Sequence, residues 1–420
     1  MRHVIIGAGP AGVIAAEALR KADSASQITL IGDEPEPPYS RMALPYYLSD
    51  NIKEEGTYLR KTDGYYAARK IDVVQDKVDQ VRPNEKRLRL KNGTDVDFDR
   101  LLIAAGAHPI SPPISGVDLP GVHPCWTLHD TRQIVQLATP GAHVVLMGAG
   151  FIGCIILEAL VKRGVQLSVV EMENRMVPRM MNETSGGLIK AWCQEKGVNV
   201  YTSTKVESIE KGGGDHPLTV NLDNGKTLPA SLVIAATGVK SNIEFLNDTG
   251  IDTDVGILVN HHLQTNVADI YAAGDVAQGK DFSTGDYSVQ AIQPTAADHG
   301  RVAALNMAGQ SIEHQGSVNM NVLATLGLIS SSFGLWMGEP GSDHAERTDP
   351  NRYQYLSLQF RDDTLIGASS LGLTQHVGVL RGLIQSKTKL GGWKARLMKD
   401  PTRIMEAYVA STQALGVNIH

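Results

Sequence analysis

Two glycine turns carry the clearest chemistry in this sequence. GAGPAG sets Gly7, Gly9 and Gly12 behind the strand-like HVII, and GAGFIG sets Gly148, Gly150 and Gly153 behind VVLM. At this spacing the first glycine permits a tight turn, the second lets backbone approach a pyrophosphate, and the third allows close helix–strand packing. The pyrophosphate then rests on a helix N-terminus. One such turn is a weak signal; placed between strand and helix, and occurring twice, it predicts two dinucleotide sites. An acid ending the next strand holds the ribose. Asp33 lies at about the 20-residue distance expected for that acid, and Glu34 competes with it because Gly32 blurs the register. In the second half Glu171 ends the strand and is placed to accept from both ribose hydroxyls, which favours NADH over NADPH. A 2′-phosphate against that carboxylate costs on the order of 1–4 kcal/mol. Arg175 and Arg179 are nearby cations that either soften this preference or serve as solvated helix charges.

The elements that position these residues follow one plan repeated. Strand, turn, helix and strand occur over residues 3–31 and again over 144–171. Each half continues with an Asn-Gly hairpin turn, Asn92-Gly93 and Asn224-Gly225, and an apolar strand that ends in a small-residue turn, LLIAAG closing at Gly106 and LVIAATG closing at Gly238. Two similar domains follow from that order. The Pro-rich segment 108–116 reads as a linker, and 256–277, with DIYAAGD at its end, reads as returning to the first domain. From about Gln315 the pattern changes to strands, a helix at VGVLRGLIQS and a charged helical tail over 393–413. The expected architecture is α/β: two Rossmann-like three-layer dinucleotide-binding domains, one (111–239) inserted in the other (1–110 and 240–312), then a C-terminal α+β domain (313–420) with a helical extension.

A chain of 420 residues with a formal charge of −6 lacks the basic surplus of a general nucleic-acid binder. Cys125, Cys154 and Cys193 are too scattered for a CxxC pair or a zinc cluster. With no apolar run of about 20 residues and no charged-apolar leader pattern, a cytoplasmic protein without a membrane span is expected. The thirteen histidines are scattered, and the His261-His262 pair reads as part of an alternating strand with side chains on opposite faces. No metal site is assigned.

In order, GAGPAG, PPYSRMALPYY, LLIAAGAHP, GAGFIG, LVIAATGVKSN and GILVNHHLQTNVADIYAAGDVA resemble the FAD/NAD-dependent pyridine nucleotide-disulfide oxidoreductases. The resemblance covers roughly 1–309, and the later part is similar to the C-terminal domain of rubredoxin reductases and of the NADH-binding portion of nitrite reductases. It implies FAD on the first motif and NAD(H) on the second. It also implies that Gly274 and Asp275 of AAGD meet the flavin's ribityl chain, that Arg41 lies near the FAD diphosphate, that Gly106 marks a close approach, and that the helix in QPTAADHGRVAALNMAG faces the flavin pyrimidine with its N-terminal amides.

The chain departs from that family in its thiols. Met42 falls where single-cysteine relatives carry theirs, and the Lys and Glu of related ferredoxin reductases read Tyr46 and Ile155. Losing one partner of a buried pair costs about 3–5 kcal/mol, whereas losing both avoids that penalty. Tyr46 remains a candidate catalytic contact, or an aromatic packed beneath the cofactor. The implied function is electron exchange between NADH and an iron–sulfur or rubredoxin-like protein through FAD alone, and the resemblance also raises a homodimer as an expectation. The alternatives are an NADH oxidase or quinone reductase, and an NADH-sensing flavoprotein.

Overall fold

The computed structural model describes residues 1–214 and 216–416, with side chains described as far as residue 412. The chain forms two compact units, Met1–Ile110 with Val239–Ser317, and Ser111–Gly238 with Val318–His420.

The first unit is built on a five-stranded parallel sheet in the order Ile270–Ala272, Arg100–Ile103, Arg2–Ile6, Gln27–Gly32, Ile71–Gln75. The inner strands read as nearly continuous apolar runs because both faces are covered, whereas the edge strand Ile71–Gln75 is mostly exposed. One core takes in Val4, Ile5 and Leu102 of the sheet, Val13 and Ala16 of the helix Pro10–Ala22, Val302 and Ala303 of the helix Gln293–Met307, and Val81 and Leu88 of a three-stranded antiparallel sheet. The two helices pack closely because a Cβ on Gly300 would stand 2.3 Å from the Ala11 carbonyl oxygen, so only glycine fits. DIYAAGD supplies the edge strand Ile270–Ala272, beside Arg100–Ile103, as its apolar character suggests. Just before it the expected strand is absent: His261 and His262 lie in a tight turn.

The second unit repeats the plan. Its parallel sheet runs Asn199–Tyr201, Gln166–Val170, His143–Met147, Leu232–Ala235, Val122–Pro124. The helix Leu128–Leu137 starts at a capping box, in which Thr127 and Asp130 satisfy each other's backbone amides. In the same unit, Met320–Thr325, Leu328–Gly334, Thr364–Leu371, Gln354–Arg361 and Asp343–Asp349 form an antiparallel sheet. Helices Val377–Ser386, Gly392–Lys399 and Ile404–Gly416 follow it, and Leu358 and Phe360 share a core with Leu383, Ile384 and Leu397. The tail is therefore two helices, not one. Pro401 cannot continue the helix, and the Asp400 carboxylate accepts from the Thr402 amide at 3.1 Å to start a new turn.

This antiparallel part rests directly on the second glycine-motif half. Trp192 Nε1 donates to the Thr325 carbonyl at 3.1 Å, Asn182 Nδ2 donates to Tyr355 Oη at 2.6 Å, and Tyr353 Oη donates to Glu195 at 2.6 Å. Among the described residues no helix is long and apolar enough to cross a membrane.

Candidate functional site

The two glycine turns have the same geometry. Gly7 has φ +108° and its amide donates to the Ile31 carbonyl at 2.7 Å; Gly148 has φ +97° and donates to Val170 at 2.8 Å. A Cβ at Gly7 would stand 2.0 Å from the Ala104 oxygen, and one at Gly148 would stand 2.5 Å from the Ala236 oxygen, so each turn lies against the end of a neighbouring strand. Gly12 and Gly153 press on the turn itself, with Cβ positions 1.9 Å from Gly7 O and 2.2 Å from Gly148 O. Gly9 and Gly150 differ from both pairs, since no described atom lies within 4 Å of where their Cβ would be. Each is the N-cap of a helix that no side chain caps. A bare backbone cradle at an uncapped helix N-terminus fits a pyrophosphate, so the residues present suit FAD and NAD(H).

At the second turn Glu171 directly follows the strand Gln166–Val170 and is 7% exposed. Its carboxylate accepts from the Ala149 amide at 2.6 Å and the Glu173 amide at 2.9 Å, which fixes it on the floor of the turn. Arg175 Nε donates to Met181 O at 2.8 Å, Nη2 to Pro178 O at 3.2 Å and Nη1 to Asn174 Oδ1 at 2.8 Å, so it braces its own loop. Arg179 is exposed. Gly238 closes the turn after Leu232–Ala235.

The first turn is not a plain copy of the second. Gly32 stands at the position of Glu171, because each follows the residue whose carbonyl receives the first glycine's amide. A Cβ at Gly32 would be 2.8 Å from Ala8 Cβ, so no side chain fits there, and the next residue is the exposed acid Asp33. Glu34 is otherwise engaged: Arg41 Nη2 donates to it at 2.8 Å and Tyr39 Oη at 2.6 Å. A Cβ at Gly106 would lie 3.7 Å from Arg41 Nη1, which places the guanidinium beside the turn that ends LLIAAG. Gly274 packs against Ala11 and Ala296, and the next residue, Asp275, is held at its carbonyl by Ser241 Oγ at 2.8 Å. Burial pushes the Asp275 carboxyl up, and the charge of Arg41 opposes the shift. Thus Asp275, Arg41, Gly106 and the Gly7 turn all belong to one unit.

Sequence reading missed two supports of this arrangement. Ser40 Oγ donates to Gln293 Oε1 at 2.6 Å, tying the PYSR segment to the start of the helix Gln293–Met307. Glu34 serves as the anchor of Arg41, and the acid, tyrosine and arginine at Glu34, Tyr39 and Arg41 were the available signal. Tyr46 is 57% exposed, and Met42, one helical turn earlier, is 47% exposed.

No thiol is set up for chemistry. Cys154 and Cys193 are buried; burial pushes Cys193 up to about 12 and Cys154 well above the ordinary thiol range. Cys125 is half-buried and its thiol too is pushed up to about 12 by burial. A thiol held protonated is a poor nucleophile and a poor redox group.

Residues 1–300 match the family of pyridine nucleotide-disulphide oxidoreductases. The chain is 30% identical over 415 residues to NADH-dependent phenylglyoxylate dehydrogenase subunit epsilon of Aromatoleum evansii, covering 98% of each. It is 32% identical over 321 residues to rhodocoxin reductase of Rhodococcus erythropolis, covering 75% of this chain and 74% of that one. In fold it superimposes on putidaredoxin reductase from its covalent complex with putidaredoxin, with a TM-score of 0.89 and 23% identity over 98% of this chain and 99% of that one. The protein therefore belongs to the pyridine nucleotide-disulphide oxidoreductases, as an FAD-dependent NAD(H) oxidoreductase.

Proposed function

We propose that this chain is the NAD(H)-linked flavoprotein of a larger electron-transfer system, exchanging electrons with an iron–sulfur or rubredoxin-like protein and not with a thiol. The observation that carries this reading is the match over 98% of both chains, C-terminal region included, to a relative named as a subunit of an NADH-dependent dehydrogenase. The buried, protonated cysteines support the thiol-free route.

Bound FAD supplies the conversion between paired electrons at the nicotinamide and single electrons at a metal-centred partner. The chain's own residues bind and orient. We assign the FAD pyrophosphate to Gly7, Gly9 and Gly12, its adenosine ribose to Asp33 and its diphosphate charge to Arg41, held ready by Glu34. Asp275 accepts from the ribityl hydroxyls, with Gly106 and Gly274 allowing close approach. Gly148, Gly150 and Gly153 take the NAD(H) pyrophosphate and Glu171 its ribose, with Gly238 at the neighbouring strand end. On this reading 1–110 and 240–312 form the FAD domain, 111–239 the NAD domain and 313–420 the region that selects the partner. The partly exposed Tyr46 and Met42 suit a contact surface better than acid–base chemistry.

Replacing Asp275 with Ala removes a charge-assisted acceptor worth roughly 1.5–3 kcal/mol, so FAD retention is expected to fall about 10- to 100-fold. The flavin-to-protein ratio after dialysis reads this directly. The partner assignment is tested by mixing FAD-loaded protein anaerobically with NAD⁺ and chemically reduced ferredoxin. NADH formation that requires both proteins is expected. Rapid NADH oxidation by quinone or oxygen, with no exchange with ferredoxin or rubredoxin, would replace this reading with the small-acceptor one.

A further inference from the structure

We propose that His261, His262 and Glu313 form a binding site for a borderline divalent transition ion such as Zn²⁺. Their ligand atoms all lie within 4.8 Å of one another, and Glu313 and His261 are exposed side chains. The turn makes this possible. Asn260 Oδ1 accepts from the amides of His262 at 2.9 Å and Gln264 at 3.1 Å, while Leu263 N donates to Asn260 O at 2.9 Å. Leu263 adopts φ +58°, a left-handed conformation that reverses the chain. Two adjacent histidines, which a strand would point apart, are thereby turned together, with ring centroids 5.4 Å apart.

The tautomer is set as a metal ligand needs it. His262 Nδ1 lies 3.0 Å from the Ile312 carbonyl, which can only accept, so Nδ1 is the donor there and Nε2 is the ring nitrogen left to meet a metal. A carbonyl holding one ring nitrogen in this way orients the other toward a metal. The backbone on both sides is braced by buried Asn306. Its Nδ2 donates to His262 O at 2.9 Å and Ile312 O at 2.8 Å, and its Oδ1 accepts from Ile312 N at 2.9 Å. His314 N donates to His261 O at 2.7 Å, so Glu313 sits between two fixed residues. Two imidazoles and one carboxylate match zinc-like ions, whereas Mg²⁺ and Ca²⁺ prefer oxygen ligands throughout. The burial pattern, exposed at His261 and Glu313 and partial at His262, leaves room for water to complete the coordination. A bound ion would tie the turn to the segment that follows the helix Gln293–Met307 and so stabilise the first unit by mass action.

The test is equilibrium dialysis of tag-free, FAD-loaded, chelator-washed protein against Zn²⁺, with thermal melting alongside. Roughly one Zn²⁺ per chain is expected, with a higher melting temperature when zinc is present. His261→Ala, His262→Ala and Glu313→Gln are each expected to weaken binding by about tenfold or more and to abolish the zinc-dependent melting shift, while keeping FAD and NADH-driven flavin reduction. His129→Ala, at an exposed histidine elsewhere, is expected to bind zinc as the native protein does. Absence of stoichiometric binding, or equal affinity in all of these variants, would overturn the proposal.

Discussion

Gly150→Val is expected to fold, keep FAD and lose NADH affinity by about two orders of magnitude, roughly 2.7 kcal/mol. Gly150 has φ −74° and ψ −169°, an extended conformation open to any side chain, and no described atom lies within 4 Å of its Cβ position. The protein itself therefore does not resist the substitution. The isopropyl group would instead fill the space through which the pyrophosphate reaches the helix N-terminus. Gly153→Val, three residues on, is expected to fail for the opposite reason. Its Cβ would stand 2.2 Å from the Gly148 carbonyl oxygen, and backbone cannot move aside without lifting the helix from the sheet. Circular dichroism, flavin content and a fluorescence titration with NADH separate the two cases. A Gly150→Val protein with native NADH affinity would remove the pyrophosphate from this turn.

The second large effect concerns the choice between NADH and NADPH. Native protein is expected to prefer NADH, and Glu171→Gln to narrow the preference by about one to two orders of magnitude. This follows from removing a carboxylate whose repulsion of a 2′-phosphate is on the order of 1–4 kcal/mol. The structure makes Gln a better probe than Ala. Glu171 accepts from the amides of Ala149 and Glu173 with separate oxygens; Gln keeps an oxygen for the buried Ala149 amide, whereas Ala would leave that donor unpaired, at about 1–3 kcal/mol. Arg175 is hydrogen-bonded within its own loop, which leaves Arg179 as the exposed arginine of that loop. The ratio of kcat/KM for the two nucleotides measures the effect. A native ratio favouring NADPH would show that Glu171 does not hold the ribose.

Much of this was legible in the sequence because the signals were local. Each glycine of GAGPAG and GAGFIG meets the constraint its position predicts, and Glu171 lies where the strand ends because no glycine intervenes there. The first half was harder to read. Gly32 is required by its approach to Ala8, a contact invisible in sequence, and of the two acids that follow, Glu34 holds Arg41 while Asp33 is exposed. At His261-His262 the apolar alternation of ILVNHHL predicts a strand, but Asn260's side chain captures two backbone amides and makes a turn. At 393–413 the helical periodicity is real, yet Pro401 divides it. The packing of 318–412 with 111–238 rests on contacts such as Trp192 with Thr325, between residues far apart in sequence, which no periodicity encodes.

The central claim, that flavin alone carries the electrons, is tested most directly by counting them. FAD-loaded protein, titrated anaerobically with dithionite while flavin absorbance is followed, is expected to take up roughly two electrons per chain, all accounted for by flavin bleaching. NADH is expected to reach the same endpoint. Cys125, Cys154 and Cys193 are all free thiols, and burial pushes each of them up, so no second store is expected. Uptake of roughly four electrons per chain, the sum of a flavin and a disulfide, would contradict the account and place the protein among the thiol-using members of its family.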